Sequence, residues 1–312
     1  TLMNCGPENV TKGNFSPRLF DMSEYLGRIH LSGLDAVDLL DRLSTNNMTQ
    51  LVKEGDGVVT VVTTNKGRII DVVSVNKIED GFLVVTSGEA TVKICQWIEF
   101  YTFIEDVSLR NVSDKMGHIR LIGVESLSGV IDSKHLVGTN HSSKAMVLGM
   151  PCLVVRTKMD YVPCLDIISL CGSSEPLLDF LSKEYQRIDS DEFEDLRIIL
   201  GLPKFGKELT EAYNPLEVGL ASHISFNKGC YIGQEVVARL NTYDKVQRKL
   251  VALSWAGELP SSEITKDGKQ VGVVTSSGEG IGVGLVRRIH AESGESLLCG
   301  SVPLTIKSVL SG

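Results

Sequence analysis

The chain has 312 residues, which is enough for about two ordinary domains. Apolar residues make up 42% of it and charged residues 22%, as in a globular chain and unlike a disordered one. With 39 acidic and 31 basic residues the net charge is −8, which argues against a broad nucleic-acid-binding surface. No stretch approaches the ~18 uncharged apolar residues of a membrane-spanning helix, so we expect neither nucleic-acid nor membrane partners.

The seven cysteines are expected to be reduced thiols. Their number is odd, their spacing is wide and no C-x-x-C occurs, which is unlike a disulfide framework. No histidine or cysteine pair has the spacing of zinc ligands, so no metal site is predicted. These features fit a soluble protein of a reducing compartment, either a bacterial cytoplasm or an organelle such as the plastid stroma or the mitochondrial matrix.

The first 110 residues alternate between helical and strand patterns. An amphipathic helix that ends near Ser44 is predicted by apolar residues at three-residue steps, namely Leu34, Val37, Leu40 and Leu43. Strands are predicted over 57–63, over 68–75 and over 82–86, with a hairpin turn at 65–67. A further helix is predicted over 91–103, and the residues available for its buried face are Val92, Cys95, Ile98 and Trp97 or Phe100.

The middle of the chain also contains both strand and helix patterns, whereas the C-terminal part contains almost only strand patterns. Strands are predicted over 118–123, 152–157 and 163–170, and helices over 174–185 and 191–200. From residue 249 onward helical patterns almost vanish, and a small β-barrel is predicted from β-rich pieces at 249–255, 269–275, 281–287 and 302–309. We therefore predict domain boundaries that divide the chain into 1–110, 111–245 and 246–312.

One segment carries a candidate for chemistry, the run Lys228-Gly229-Cys230-Tyr231-Ile232-Gly233-Gln234-Glu235. The residues that follow it, 234–240, have a helical pattern in which Glu235 and Arg239 are spaced for an i,i+4 ion pair. A thiol on a glycine-flanked loop, beside a lysine and just before a helix, is placed as reactive cysteines are. The alternative is that Cys230 is a small buried apolar residue on a turn.

The same run closely resembles K-G-C-[FY]-x-G-Q-E, the signature of the YgfZ family of folate-binding proteins, which are related to the glycine-cleavage T-protein, an aminomethyltransferase. Residues 20–36 are similar to the opening of both families, and 66–71 to their G-r-i-i-D strand. Residues 197–203 resemble the YgfZ pattern R-x-x-x-G-x-P. The resemblance covers most of residues 20–290 and is strongest over 192–250.

The resemblance implies an α+β fold of two interleaved ferredoxin-like units and a C-terminal β-barrel, arranged as a ring around a central folate cavity. It also implies a tetrahydrofolate-binding protein that supports iron–sulfur cluster assembly or repair in client enzymes, possible clients being tRNA-modifying radical enzymes. The ligand would be tetrahydrofolate or a one-carbon derivative, and the protein partners would be iron–sulfur clients or assembly proteins.

The resemblance also assigns candidate site residues. Cys230 is the expected functional thiol, and its companions in the motif are Lys228, Gly229, Tyr231, Gly233, Gln234, Glu235 and Arg239. The candidates for folate binding are Asp71, Arg197, Glu217, Lys228 and Arg239. Three alternatives stay open: a solvated strand-end carboxylate for Asp71, a surface ion pair with Glu235 for Arg239, and ordinary core packing rather than stacking on a flat ring for Tyr231 and Phe226.

Two departures separate this chain from the aminomethyltransferases. T-proteins carry paired aspartates where this chain has Ile70 and Asp71, and a pterin-holding glutamate where it has Ile199. An isoleucine cannot accept the pterin N–H groups, so those donors would need another acceptor. Whether the chain is an enzyme therefore stays open. The first alternative is a T-protein-like aminomethyl or methyl transferase that uses tetrahydrofolate, and the second is a non-catalytic scaffold with a vestigial folate pocket.

Overall fold

The computed structural model describes residues 15–127, 136, 138–170, 172 and 174–310. In that part of the chain five α-helices alternate with the strands: α1 Ala36–Leu43, α2 Thr91–Phe100, α3 Glu175–Leu181, α4 Ser190–Ile199 and α5 Gln234–Thr242. None of these helices is long and apolar enough to cross a membrane.

The first sheet has five strands in the order β3-β4-β5-β2-β6. Its strands are β2 Leu26–Ser32, β3 Gly57–Thr63, β4 Ile69–Ile78, β5 Gly81–Ser87 and β6 Ser108–Asn111. The predicted turn at 65–67 joins β3 to β4, and Gly67 there has a φ of +64°, which glycine adopts at little cost. The strands predicted over 57–63, 68–75 and 82–86 are therefore confirmed.

The second sheet has six strands in the order β11-β1-β7-β10-β9-β8. Its strands are β1 Arg18–Asp21, β7 His118–Ile122, β8 Ser142–Val147, β9 Met150–Met159, β10 Val162–Ser169 and β11 Gln186–Arg187. Leu83 and Val85 of the first sheet pack against Leu153, Val155 and Ile168 of the second in one apolar cluster. The sequence predicted β7, β9 and β10 but not β8, whereas β1 and β11, with four and two residues, are too short to show a period.

The C-terminal part closes into a six-stranded barrel in the order β12-β15-β14-β13-β16-β17. Its strands are β12 Arg248–Trp255, β13 Glu263–Lys266, β14 Lys269–Ser277, β15 Ile281–Arg287, β16 Ser296–Cys299 and β17 Val302–Val309. Alternate residues such as Val251 and Leu253 fill the interior together with Ile264, Leu304 and Ile306. The mixed α/β class and the predicted barrel are confirmed.

The chain crosses five times between two compact units. Among the described residues, the first unit takes 15–41, 47–60 and 72–193, and the second takes 42–46, 61–71 and 194–310. The expectation that the first two α+β units exchange segments stays a prediction. The boundaries drawn after residues 110 and 245 stay a prediction.

Several local expectations were wrong in detail. Helix α1 begins at Ala36, and Leu34 lies before it, 88% exposed. Helix α2 ends at Phe100, because Tyr101 leaves the helical region with φ −100° and ψ 5°. The helix predicted to reach 185 ends at Leu181. In α2 the buried residues are Thr91, Ile94 and Ile98, whereas the predicted core residues Val92 and Phe100 are exposed.

Candidate functional site

Cys230 lies on the loop that leads into helix α5, and its thiol is exposed. The other described cysteines, Cys95, Cys152, Cys164 and Cys299, are free thiols and are buried or partly buried. These five residues form no disulfide in the described part of the chain, and Cys5 and Cys171 lie outside it, so reduced thiols stay a prediction. The alternative reading of Cys230 as a buried apolar residue is therefore wrong.

Lys228 ties the start of this loop to the segment 42–46. Its ammonium group donates hydrogen bonds to the carbonyl oxygens of Ser44 at 3.0 Å and Asn46 at 2.8 Å. The ammonium also lies 5.5 Å from the centre of the Tyr231 ring, within cation–π range. The structure therefore gives Lys228 a positioning role in the loop.

Backbone contacts hold the second half of the loop. The Ile232 N–H donates to the Arg42 carbonyl at 3.0 Å, and the Ile232 carbonyl accepts from the Thr63 hydroxyl at 2.8 Å. The Gln234 amide reaches back to the Gly229 carbonyl at 3.4 Å. The exposed thiol therefore sits on a loop fastened on both sides rather than on a free turn.

Tyr231 is a core residue of this loop. Its side chain is buried, and burial raises the pKa of its phenol to about 12. The core alternative is thus confirmed for Tyr231, whereas Phe226 is 42% exposed and remains accessible to a flat ligand.

Asp71 lies on strand β4, four residues beyond the turn at Gly67, and is fully buried. The alternative of a solvated strand-end carboxylate is therefore wrong. The carboxylate interacts with another group of the protein, as the desolvation penalty of an isolated buried charge requires. Asp71 is a candidate acceptor for ligand N–H groups.

The Glu217 carboxylate lies between two arginine side chains and pairs with both. Its buried carboxylate accepts from Arg248 Nε at 2.9 Å and from the Asn214 N–H at 3.2 Å, and Arg68 Nη1 lies 3.9 Å from it. Both arginines also donate to the Ala212 carbonyl, at 3.2 Å from Arg68 and 3.3 Å from Arg248. One carboxylate thus faces two guanidinium groups, and both guanidinium groups are about half-exposed.

Arg197 is buried among protein groups. Its guanidinium donates to both carboxylate oxygens of Glu194, at 3.0 Å and 2.7 Å, and to the Leu202 carbonyl, and it lies 3.6 Å from Glu208. All three guanidinium nitrogens are thus engaged by the protein. This arrangement supports a structural role and does not support the predicted folate contact.

Arg239 and Glu235 are both exposed on α5, and no ion pair joins them within the described part of the chain. The surface-pair alternative is therefore not realised. The Arg239 side chain remains accessible for an anion.

Sequence reasoning missed Arg68 and Arg248 as site residues. Arg68 lies three residues before Asp71, within the segment that resembles the family pattern G-r-i-i-D. The signal for Arg68 as a site residue was therefore present in that pattern. Arg248 gave no such indication, because only folding places it against Glu217. The described residues contain no group of three or more histidine, cysteine, aspartate or glutamate side chains arranged to hold a metal ion.

The site thus offers three kinds of group within one compact unit. Cys230 supplies an accessible nucleophilic sulfur atom, Asp71 a buried acceptor, and the pair Arg68 and Arg248 donors for carboxylates or phosphates. Fold and site together define a mixed α/β protein with a C-terminal barrel, an exposed cysteine and two half-exposed arginines paired with a buried glutamate.

Comparison with known proteins identifies the family. Residues 13–161 match the GCVT N-terminal domain, and 247–308 match the CAF17 C-terminal β-barrel domain. The chain is 31% identical over 293 residues to a chloroplastic protein of Arabidopsis thaliana whose name assigns it provisionally to the transferases, covering 90% of this chain and 67% of the relative. The chain belongs to the YgfZ/CAF17 family, which confirms the resemblance seen in the sequence.

Aminomethyltransferases are similar as well. The enzyme of Thermotoga maritima is 29% identical over 282 residues, covering 86% of this chain and 76% of the enzyme. The crystal structure of the glycine cleavage system aminomethyltransferase T from Bartonella henselae superposes with a TM-score of 0.78, covering 94% of this chain and 85% of that one at 18% identity. That structural likeness shows a shared fold.

Proposed function

We propose that this chain binds tetrahydrofolate, or a one-carbon derivative of it, and supports iron–sulfur cluster assembly or repair in client enzymes, with Cys230 as the functional thiol. The observation that carries the proposal is the exposed Cys230 on a loop fastened to segments 42–46 and 61–71, the second of which also carries Asp71. In this proposal the loop that carries the thiol and the strand that would face the folate belong to one unit.

The residues present fit a reduced folate chemically. A folate has N–H donors on its pterin and carboxylates on its glutamate tail, so it requires an acceptor at one end and cations at the other. Asp71 is a buried acceptor, and Arg68 precedes it by three residues, about 10 Å along an extended strand. In this proposal Asp71 faces the pterin, and Arg68 and Arg248 face the tail.

Glu217 takes an indirect part in this arrangement. Because its carboxylate is already paired with Arg248, it orients the guanidinium groups rather than meeting an anionic ligand itself. Arg239 supplies a further cation for the tail, and Lys228 keeps the loop in place. The central folate cavity expected from the resemblance belongs to this proposal.

The test is a rescue assay in cells that lack their own YgfZ-type protein, with the activity of a folate-sensitive iron–sulfur enzyme as the readout. The parent chain is expected to restore activity and Cys230→Ala to fail. Cys95→Ala is the matched control, because Cys95 is a partly buried thiol outside the motif, and it should rescue like the parent. Full activity with Cys230→Ala would show that the thiol is not required.

A transferase is the second candidate function. The names of the relatives and the buried Asp71 favour it, whereas Ile199, which cannot accept a hydrogen bond from its side chain, disfavours it. The purified chain would be supplied with tetrahydrofolate and either a lipoyl-bound aminomethyl group or a methylated amine. Turnover that Asp71→Asn abolishes would support the transferase, and absence of turnover in the folded parent would contradict it.

A scaffold with a vestigial pocket is the remaining candidate. Isothermal titration of the folded chain with several reduced folates separates it from the other two, since a vestigial pocket gives no binding heat. Client enzymes can be found by their loss of activity in the knockout cells. The tRNA-modifying radical enzymes are candidates. The chloroplastic name of the Arabidopsis relative supports an organellar compartment.

A further inference from the structure

Four large apolar side chains face solvent at one edge of the first unit. Their exposed fractions are 88% for Leu34, 66% for Phe100, 80% for Phe103 and 96% for Ile104. We call these four residues the apolar patch. Scattered exposed apolar residues are normal, but clustering of several within two short segments is a mark of interaction surfaces.

Hydrogen bonds fix the two segments in this exposed arrangement. The Glu105 carboxylate accepts from the backbone N–H groups of Phe103 at 2.8 Å and Ile104 at 3.1 Å. Asp106 accepts from the Leu34 N–H at 3.1 Å, and its own N–H donates to Asp35 at 2.7 Å. Leu34 is therefore joined directly to the loop that displays Phe103 and Ile104, and the patch is held open by the fold.

The two segments that display the apolar patch carry mainly acidic side chains. Segments 33–38 and 91–106 together contain the acidic residues Asp35, Asp38, Glu99, Glu105 and Asp106. Their basic residue is Lys93, seven positions before Phe100 and thus about 10 Å away along the helix. An occupant of this surface must cover apolar side chains while bringing positive charge to the rim.

We infer that the apolar patch docks a basic amphipathic segment of a partner protein, with apolar residues on one face and lysines or arginines flanking it. A second copy of this chain would bring acidic rim against acidic rim, which opposes association. An anionic lipid surface would be repelled in the same way. A basic amphipathic helix matches both the apolar and the charged features of the surface.

The test uses the full chain and an 18-residue fluorescent helical peptide with leucines on one face and lysines on the other. Binding of the peptide is measured by fluorescence anisotropy. The parent is expected to bind it, and the double variant Phe103→Ser, Ile104→Ser to bind at least about tenfold more weakly. Glu99→Gln should weaken binding roughly threefold and make the salt dependence of binding less steep. The matching leucine–glutamate peptide should not bind.

Two variants on the barrel are matched controls. Ile289→Ser removes an equally exposed apolar residue, and Glu279→Gln removes an exposed carboxylate, and both should bind as the parent does. Thermal melting of every variant checks that the fold is kept. Equal binding by the double variant overturns the inference. The parent could instead dimerise or bind anionic vesicles, and the double variant could lose that property. Either result would assign the apolar patch to another occupant and would also overturn the inference.

Discussion

Gly233 and Gly67 approach each other so closely that a Cβ atom on Gly233 would lie 3.0 Å from the Gly67 Cα. The same Cβ would lie 2.5 Å from the carbonyl oxygen of Thr64. Both glycines have positive φ angles, +86° and +64°, which other residues adopt at a cost. The loop that carries Cys230 and the turn that leads to Asp71 are therefore locked together through two glycines.

Replacing Gly233 by alanine should release this lock. The new Cβ cannot be accommodated by rotating a side chain, since the atom it meets is a backbone oxygen, and the positive φ adds strain. We expect a loss of roughly 2 kcal/mol or more in the free energy of unfolding. Urea unfolding measures that loss, and faster alkylation of Cys230 reports the loosened loop.

Gly229→Ala is the control within the same motif. A Cβ on Gly229 would meet nothing within 4 Å, so stability and alkylation rate should stay near those of the parent. If Gly233→Ala behaved like Gly229→Ala, the close packing of the two glycines would not be what holds the loop.

Lys228→Met should free the loop from segment 42–46. The substitution keeps an apolar stem beside Tyr231 but removes the donated hydrogen bonds to the carbonyls of Ser44 and Asn46. Hydrogen bonds from a charged group contribute about 1.5–3 kcal/mol, and a loss of that order is expected. Hydrogen exchange should become faster over 42–46 and 225–232.

Lys66→Met gives the comparison for this experiment, since Lys66 is an exposed lysine on the neighbouring turn. Its exchange pattern should match that of the parent. Unchanged protection in Lys228→Met would mean that the backbone contacts of Ile232 alone position the loop.

The strand and helix patterns of the sequence were sufficient to predict most of the fold. The barrel strands around Val251 and Leu253 alternate between the interior and the outer face, which gives a clear period of two. The short strands β1 and β11 have no such period, because pairing with distant segments rather than their own pattern stabilises them. Leu34 fits the helical spacing of the residues that follow it, so the sequence placed it in the helix. It lies outside the helix because the chain turns at Gly33, which has a φ of +117°.

The site was less predictable than the fold. The motif located Cys230 and its loop, and the family strand located Asp71. Arg197 was assigned to folate because it lies in a family pattern, but the partners that occupy it, Glu194 and the Leu202 carbonyl, are brought there by folding. Arg248 is meaningful only beside Glu217, 31 residues away, and such a contact leaves no local trace in a sequence.

Two ligands should separate the proposed roles of Asp71 and Arg68. Asp71→Asn should weaken binding of both tetrahydrofolate and a tetrahydropterin without a glutamate tail, because it changes the acceptor at the pterin end. Arg68→Gln should weaken binding of tetrahydrofolate alone, by roughly five- to tenfold, the equivalent of about 1–1.4 kcal/mol for one charge-assisted contact. Isothermal titration measures both ligands.

Arg287→Gln is the matched control for this experiment. Arg287 is exposed and pairs in register with Arg248 across β12 and β15, but it does not contact Glu217 in the described structure. Its removal should change tetrahydrofolate binding less than that of Arg68. An equal effect of Arg68→Gln on both ligands would place Arg68 away from the tail.

A buried histidine in the first unit predicts a dependence of stability on pH. His118 is fully buried on β7, with its Nε2 atom 3.2 Å from Asp166. Asp166 is already paired with Arg120 through contacts of 2.6 Å and 2.7 Å, and Arg28 adds positive charge nearby. Burial therefore dominates and lowers the pKa of His118 below its ordinary value, although the Asp166 charge opposes this shift.

The sign of the effect follows from proton binding in the two states. An unfolded histidine takes up a proton near pH 6.5, whereas folded His118 resists it, so the unfolded state binds more protons below that pH. The stabilising contribution of neutral His118 is present above about pH 6.5 and is lost as the pH falls, by up to about 1.4 kcal/mol per pH unit.

Urea unfolding between pH 7.5 and 5, a range of about one unit above and 1.5 units below the ordinary histidine pKa, tests this prediction. His118→Gln removes the titrating group, so its free energy of unfolding should fall less steeply with acidification than that of the parent, whatever its absolute stability. His141→Gln, at a partly buried histidine, should keep the parental slope. Identical slopes for the parent and His118→Gln would mean that Asp166 accommodates a protonated His118 within the fold.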